Sequence, residues 1–343
     1  MNTADNQKLE TKGYPEVSVI ILTYNGNEYI KPLLESLANQ SYPKERTEIL
    51  VVDNASTDET LMTVSSNFPL VKVVALEKNI GFAAGNNQAL LHAGHDLLVF
   101  LNQDTICHPR FLQSMVTMME ADKTLAACNP NIITPEVEGF GTMDPTFTPE
   151  SLYLCDMVPF GYGKHRTING KKIVHPKLLS GCAFIIRRET VSELGYLFDD
   201  QLWMYAEDTD LSLRLHNIAH KICVIREAIV YHLHKSNMAI EKGRMITAAG
   251  AIQNRVYAFY KNMSETEFFF FFPFLFLGGI FKIFEFQLTT TRKVLYFLPF
   301  SFFSMACMIS AIFYLPRFAA QKRHIMKKRL KPKFALIRLI LNL

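Results

Sequence analysis

Short β-branched runs, each stopped by polar residues and followed by helical spacing, constrain this chain more than any other feature. Val17–Thr23 (VSVIILT) is almost wholly apolar, as a strand buried on both faces requires. After Asn25-Gly26, the residues Ile30, Leu33, Leu34 and Leu37 recur at i, i+3, i+4 and i+7, one face of a helix. Ile49–Val52 reads as a second strand, closed by Asp53-Asn54, and Ser56 and Glu59 stand at capping-box spacing to open the next helix. Val71–Leu76 is a third strand and Phe82 to about His95 a helix. Leu97–Leu101 is a fourth strand ending in Asn102-Gln103-Asp104. A helix around Phe111–Met119 and a strand at Leu125–Cys128 follow. Strands alternating with helices predict an α/β fold with a mostly parallel sheet. Ligands of such sheets sit beyond the carboxyl ends of the strands. Thr23-Tyr24-Asn25, Asp53-Asn54, Asn79 and Asn102-Gln103-Asp104 all fall there.

Residues 132–178 are rich in turn formers and read as an irregular, acceptor-facing stretch, with a hairpin at Asn169-Gly170. Ser180–Ile186 returns to strand, Asp208–Asn217 to helix, and Ile222–Ile225 and Ile229–Tyr231 to short strands.

The net charge of +4 is unevenly spread. Glu265–Leu343 holds 12 Lys/Arg against 3 Asp/Glu, leaving 24 of the 36 basic and 29 of the 32 acidic residues to the body. The same tail carries FFFFFPFLFLGGIF and, at Val294–Leu315, 22 residues without a charge, enough to span about 30 Å of hydrocarbon. Core helices of a soluble domain are the alternative. An acidic body with a basic, Phe-rich tail fits attachment to an anionic bilayer surface, by a helical hairpin or a monotopic embedding. Nucleic acid is a poor partner for basic residues interleaved with apolar runs. Six scattered cysteines without a Cys-x-x-Cys pair argue against zinc or a disulfide framework and fit a reducing compartment. The polar first residues show no signal peptide.

Three clusters carry chemistry. Asp104 at a strand end could be only a cap or turn residue, but its amide neighbours make it a metal-capable site. Asp53 holds the equivalent place one strand earlier, where a carboxylate can accept from a base or a ribose. The glycines of Asn79-x-Gly81-Phe82-x-x-Gly85-Asn86 permit close backbone approach at a helix start, which can attract phosphate. In YAEDTDLSLR, Glu207, Asp208 and Asp210 stand beside Trp203, Met204 and Tyr205. A helix N-terminus prefers acids, but an acid at an aromatic edge also gains the raised pKa that suits a general base. In VYHLHKS, His232 and His234 share a strand face. Either is compatible with structure alone or with a mixed metal site.

Taken together, PEVSVIILTYN, VVDNASTDET, NIGFAAGNN, VFLNQDT, SGCAFIIRRE, YAEDTDLSLR and VYHLHKS resemble the family 2 glycosyltransferases, which have the GT-A fold. The rhamnosyltransferase-like branch that builds bacterial O-antigen and other surface polysaccharides is the most similar. The resemblance implies an N-terminal extension (1–16), a GT-A domain (17–263) and a C-terminal membrane-association region (264–343). It implies that Thr23, Asn25, Asp53, Gly81, Asn86 and Asn102 bind the nucleotide and that Asp104 and His232, with His234 as fallback, contact Mg2+ or Mn2+. Asp208 would be the base, with Glu207 beside it. Asn102 replaces the first acid of the D-x-D-type motif, so the donor diphosphate would bring most of the negative charge. The implied activity is inverting, non-processive transfer from a nucleoside-diphosphate sugar to a polyprenyl-diphosphate-linked glycan at the cytoplasmic side of the inner membrane. Processive members carry Q-x-x-R-W, and the only Trp here is Trp203. A nucleotidyltransferase and a catalytically degenerate membrane scaffold are the rival readings.

Overall fold

Alternate residues of the central strands enter two different cores, which is why these strands read as unbroken apolar runs. In a computed structural model that describes residues 13–135, 141–157, 163–233, 242–281 and 290–342, β1 (Val17–Thr23) is buried along its whole length. Val17, Val19 and Ile21 face one helical layer, and Ile20 and Leu22 face the other. The first layer holds α1 (Asn27–Ala38), through Ile30, Leu33, Leu34 and Leu37, and, beyond β2 (Thr47–Asp53), α2 (Thr60–Asn67) through Val64. After β3 (Lys72–Ala75), α3 (Gly81–Leu90) takes the opposite layer through Ala83 and Ala89. β4 (Leu97–Asn102) divides its residues likewise, with Val99 in one core and Phe100 in the other. Phe100 stacks on Phe184 at 4.9 Å between ring centroids. Each such side chain buried contributes ~2 kcal/mol from the transfer of its apolar surface alone.

The sheet continues through β5 (Thr105–Cys107), then, after α4 (Phe111–Ala121), through β6 (Leu125–Ile133). A separate hairpin pairs β7 (Ser151–Met157) with β8 (Gly163–Asn169). β9 (Ile173–Val174), β10 (Ala183–Arg187), α5 (Arg188–Leu194), α6 (Glu207–Asn217) and β11 (Lys221–His232) complete the α/β body. The nine-stranded sheet has the order β3-β2-β1-β4-β10-β6-β11-β5, with β9 beside β11. β1, β2, β3, β4, β6 and β11 run one way, and β5, β9 and β10 run the other.

Several boundaries differ from the sequence reading. Asn169-Gly170 does turn the chain, with Gly170 at φ 69°, but β8 pairs with β7 and β9 with β11, so no hairpin forms there. The two short strands expected at 222–231 are one strand whose register against β6 shifts between Ile225 and Ile229. The Ser56–Glu59 capping box does not form: Asp53 takes the Ser56 side chain, and α2 starts at Thr60 with Asp58 accepting from the Thr60 N–H at 3.0 Å. α3 ends at Leu90, short of His95.

The C-terminal helices are α7 (Lys242–Asn262), α8 (Glu265–Phe281), α9 (Thr290–Tyr314), α10 (Ala319–Lys328) and α11 (Ala335–Leu341). They are packed into the body. Leu336 and Ile340 of α11 share a core with Leu213 of α6 and Phe259 of α7. Glu267, fully buried, accepts from both Arg329 guanidinium nitrogens, at 2.5 and 2.7 Å. Its carboxyl falls to about 2, because Arg329 and Ser264 more than offset the burial that would raise it. α7 and α6 are joined by buried charge. Lys261 Nζ lies 2.6 Å from Asp199 and 3.1 Å from Asp210, whose other oxygen accepts from Arg214 Nε at 2.9 Å. All four side chains are at most 5% exposed. Lys261→Met would strand two buried carboxylates beside a single cation. It should cost roughly 3–5 kcal/mol, read as a lower urea midpoint at unchanged slope.

Candidate active site

The register of the sheet gathers the polar strand ends on one rim. Thr23 pairs with Asp53 across β1 and β2, and Leu22 pairs with Asn102 across β1 and β4. A cleft of about 310 Å3 opens beyond them, lined by Thr23, Tyr24, Asn54, Asn102, Asp104 and Trp203, among others. Gln103 clips its floor: its Oε1 accepts from Thr23 Oγ1 at 2.7 Å and from the Tyr24 N–H at 2.8 Å. Asn54 and Asn79 fasten the far wall. Asn54 Oδ1 accepts from the Ile80 N–H at 2.9 Å and Asn79 Oδ1 from the Gly81 N–H at 2.9 Å. Gly81, at φ 86°, has to be glycine, because a Cβ there would lie 2.6 Å from the Trp203 ring.

Asp104 reaches the same cleft from the β4–β5 turn. The antiparallel pairing of β5 with β11 sets Thr105 opposite His232, and Asp104 Oδ1 stands 3.3 Å from His232 Nε2. Burial alone would pull the His232 imidazole down, but the Cys182 sulfur and the Asp104 carboxylate outweigh it and push it up to about 10. The two side chains are partly exposed, at 22% and 17%. Among the described residues no group of three or more His, Cys, Asp or Glu is arranged to hold a metal. One carboxylate and one imidazole fit a hard divalent cation whose remaining ligands are phosphate and water oxygens, on condition that the cation displaces the proton which Asp104 helps His232 to hold. His234 and Ser236 lie outside the described residues, as do Lys282 and Glu285 of the tail.

Glu207 and Asp208 begin α6. Glu207 is buried, its Oε2 has no hydrogen-bond partner, and burial with the neighbouring Asp208 charge pushes its carboxyl up to about 8. Burial also raises Asp208, against the Gly181 N–H at 3.3 Å and the Arg255 charge, which favour its ionised form. Gly181 precedes Cys182, whose carbonyl accepts from the Asn102 N–H at 2.8 Å, so Asp208 is one short backbone step from the cleft rim. Asp210, in the same motif, behaves oppositely: Lys261 and Arg214 outweigh its burial and hold it below the usual carboxylate range.

Other expected residues are placed differently. The Asp53 carboxylate does not line the cleft. It is 1% exposed and accepts from the Ser56 N–H at 2.9 Å and from the Ser56 hydroxyl. Ser56 Oγ in turn accepts from the Asn25 N–H at 2.9 Å, and Asn25 Oδ1 from the Thr57 N–H at 2.8 Å, so these residues stitch two loops behind the rim. Asn86 is buried within α3, its amide donating to the Phe82 carbonyl. The start of α3 is not open to phosphate either, because the Phe82 and Ala83 N–H groups donate to the Trp203 carbonyl at 2.7 and 3.1 Å. Gln103 stood in the recognised polar cluster without a role, and Trp203 was visible only as an aromatic neighbour of the acids.

The family profile "Glycosyl transferase family 2" matches residues 18–195, just over half of the chain. The poly(ribitol-phosphate) β-N-acetylglucosaminyltransferase TarS of Staphylococcus aureus (strain Mu50) is 38% identical over 106 residues, which is 30% of this chain and 18% of that protein. This chain therefore matches under a fifth of that relative's length. The crystal structure of S. aureus TarS 1–349 in complex with UDP superposes with a TM-score of 0.55 at 20% identity, covering 91% of this chain and 88% of that one. GalNAc-T7 with UDP, GalNAc and Mn2+ superposes at 0.59 and 14% identity, covering 94% and 59%. The fold is thus of the GT-A type.

If Asp208 is the base of sugar transfer, as the sequence resemblance implies, the acid limb of kcat/KM should lie above the ordinary carboxylate range, because desolvation raises the loss of its proton. Glu207→Gln should leave the limb in place, since Glu207 still carries its proton below about 8. A pH–rate profile of both enzymes checks this. Loss of turnover in Glu207→Gln would give the role of base to Glu207.

Proposed function

Since the chain belongs to glycosyl transferase family 2, we propose that it is an inverting, non-processive enzyme passing a single sugar from a nucleoside-diphosphate donor to a lipid-linked glycan, in the synthesis of a cell-surface polysaccharide. One observation carries this reading: a cleft bearing Asp104 beside His232 lies one backbone step from a half-buried acid, Asp208, whose pKa is raised. The donor nucleotide sits among Thr23, Asn54, Asn102 and Trp203, with Asp53 and Asn25 shaping the loops behind them. Asp104 and His232 would hold Mg2+ or Mn2+, which would supply positive charge against that of the departing diphosphate. The acceptor hydroxyl oxygen bonds to the anomeric carbon as the bond from that carbon to the diphosphate oxygen breaks. Asp208 takes the hydroxyl proton. Rhamnose carried on deoxythymidine diphosphate is the donor the sequence resemblance favours. UDP-sugars are the main competitor, since UDP occupies the TarS and GalNAc-T7 structures.

The C-terminal helices support work at the cytoplasmic face of the inner membrane. Among the described residues one helical stretch, Ser301–Lys328, is long and apolar enough to cross a bilayer by length and composition. Its α9 part has two apolar faces. Cys307, Met308 and Ala311 dock on Ile252 and Val256 of α7, whereas Phe302, Ile309 and Phe313 stay exposed, Phe313 at 78%. On α8, Phe269 and Phe270 are exposed at 75% and 60%. A helix docked on the catalytic body along one side suits a monotopic embedding with its outer side in lipid and Arg323, Lys327 and Lys331 near anionic headgroups.

Purified protein assayed with a panel of nucleotide sugars and a polyprenyl-diphosphate glycan should transfer one sugar per acceptor. Asp208→Asn should lower kcat by about 10²–10⁴-fold, and wild-type turnover in that variant would refute the assignment of the base. Phe302→Ser with Phe313→Ser should weaken co-sedimentation with phosphatidylglycerol vesicles without lowering turnover of a soluble acceptor. Full-length protein that ignores such vesicles would refute the membrane reading. Truncation after Ser264 is a poor substitute, because it also removes Leu336, Ile340 and Arg329 from the core.

A further inference from the structure

The turn between Leu202 and α6 is made of conformations that side chains avoid. Trp203, Tyr205 and Ala206 have φ of 53°, 70° and 65°, positive-φ backbone in three residues of four, none of them glycine. Such a turn persists only where its surroundings over-determine it. One anchor is α3, whose first N–H groups bond the Trp203 carbonyl while Gly81 receives the indole. The other is Asn254 of α7. Its side-chain amide donates to the Leu202 carbonyl, to the Met204 carbonyl at 2.9 Å and, more loosely, to the Tyr205 carbonyl at 3.3 Å. The turn so held has a function at each end. Trp203 and Met204 line the donor cleft, and Glu207 and Asp208 follow directly. The next residue of α7, Arg255, is close enough for its charge to act on both acids. Residue 254 lies well beyond the 18–195 match, so family membership gives it no role.

We propose that Asn254 is a positioning residue for sugar transfer: its amide N–H groups hold the Trp203–Ala206 turn in its positive-φ course and so fix the cleft wall and the acid pair relative to each other. What the turn positions rests on the glycosyltransferase reading above, whereas the clamp itself does not. The Leu202 carbonyl also accepts from the Met204 N–H, so the Met204 and Tyr205 carbonyls depend most on this amide. Asn254→Asp keeps the shape, removes both N–H groups and sets a carboxylate against those oxygens.

Trp203 is the only Trp of the chain, so its emission reports this turn alone. In full-length Asn254→Asp, with helix content unchanged by circular dichroism, acrylamide should quench Trp203 more strongly than in wild type. UDP titrated against that emission should bind more weakly, and kcat should fall about tenfold or more, as expected for misplaced groups. If Asn254→Asp does not fold, Asn254→Ala, which adds no charge, carries the same comparison. Unchanged quenching overturns the clamp, and altered quenching with wild-type kcat and KM overturns its role in transfer. If the wild-type enzyme turns over no nucleotide sugar at all, the glycosyltransferase assignment fails. The donor-free quenching comparison then still decides whether Asn254 holds the turn.

Discussion

Asp210 is a carboxylate with no exposed surface, and the way its charge is met determines how the C-terminal helices are set against the acidic segment. Lys261 and Arg214 reach it from two helices, Lys261 also meets Asp199, and Asn262 donates to it at 2.8 Å. Burying two acids and two bases gains little net stability, because desolvation consumes most of the attraction. The gain is in placement. Arg214 spends its other N–H groups on the carbonyls of Tyr196 and Leu197, so the network has one geometry that leaves no member stranded. Sliding α7 by one turn along α6 would leave a lysine and a carboxylate apart in the interior. That lock fixes where Asn254 and Arg255, two turns back on α7, meet the acidic segment.

The same lock explains why one short motif holds acids of opposite character. Asp210 is neutralised and structural. Glu207, buried, and Asp208, partly buried, stand at the first turn of the same helix, where the Arg255 charge does not offset desolvation, and both carboxyls rise. A bare cluster of three carboxylates in sequence does not say which is which. The distinction comes from which residues face α7 and which face Gly181 and the cleft rim, and that follows from packing between segments some fifty residues apart.

Where sequence succeeded, the signal was local. VSVIILT and the run ending at Asn102 are apolar at every step because both sheet faces are covered, and their polar ends mark the rim directly. Asp104 and His232 could be named as candidates from residue type, but their 3.3 Å contact depends on β5 joining β11 antiparallel, a pairing with no local signature. The Ser56–Glu59 spacing looked like a capping box because the competitor for Ser56, Asp53, sat three residues upstream at a strand end. Asn169-Gly170 gave a true turn whose flanking strands chose other partners. Asn254 had no signal: an Asn inside an ordinary helix becomes significant only when three carbonyls from residues 202–205 are brought to it.

The apolar tail shows the same limit from the other side. An average of hydropathy along α9 cannot separate a helix in lipid from one buried in protein, and this helix has a face for each, Cys307 and Met308 inward and Phe302 and Phe313 outward. Its inward partner is α7, which presents Ile252 and Val256 to α9 and Asn254 and Arg255 to the acidic segment. One helix therefore touches both the outer apolar helix and the acidic segment. On the membrane reading, fixing α9 in the headgroup region also fixes the height and tilt of Asp208 above the lipid. A lipid-linked acceptor needs that placement, since its reactive hydroxyl stands at a distance from the bilayer set by its own headgroup rather than by diffusion.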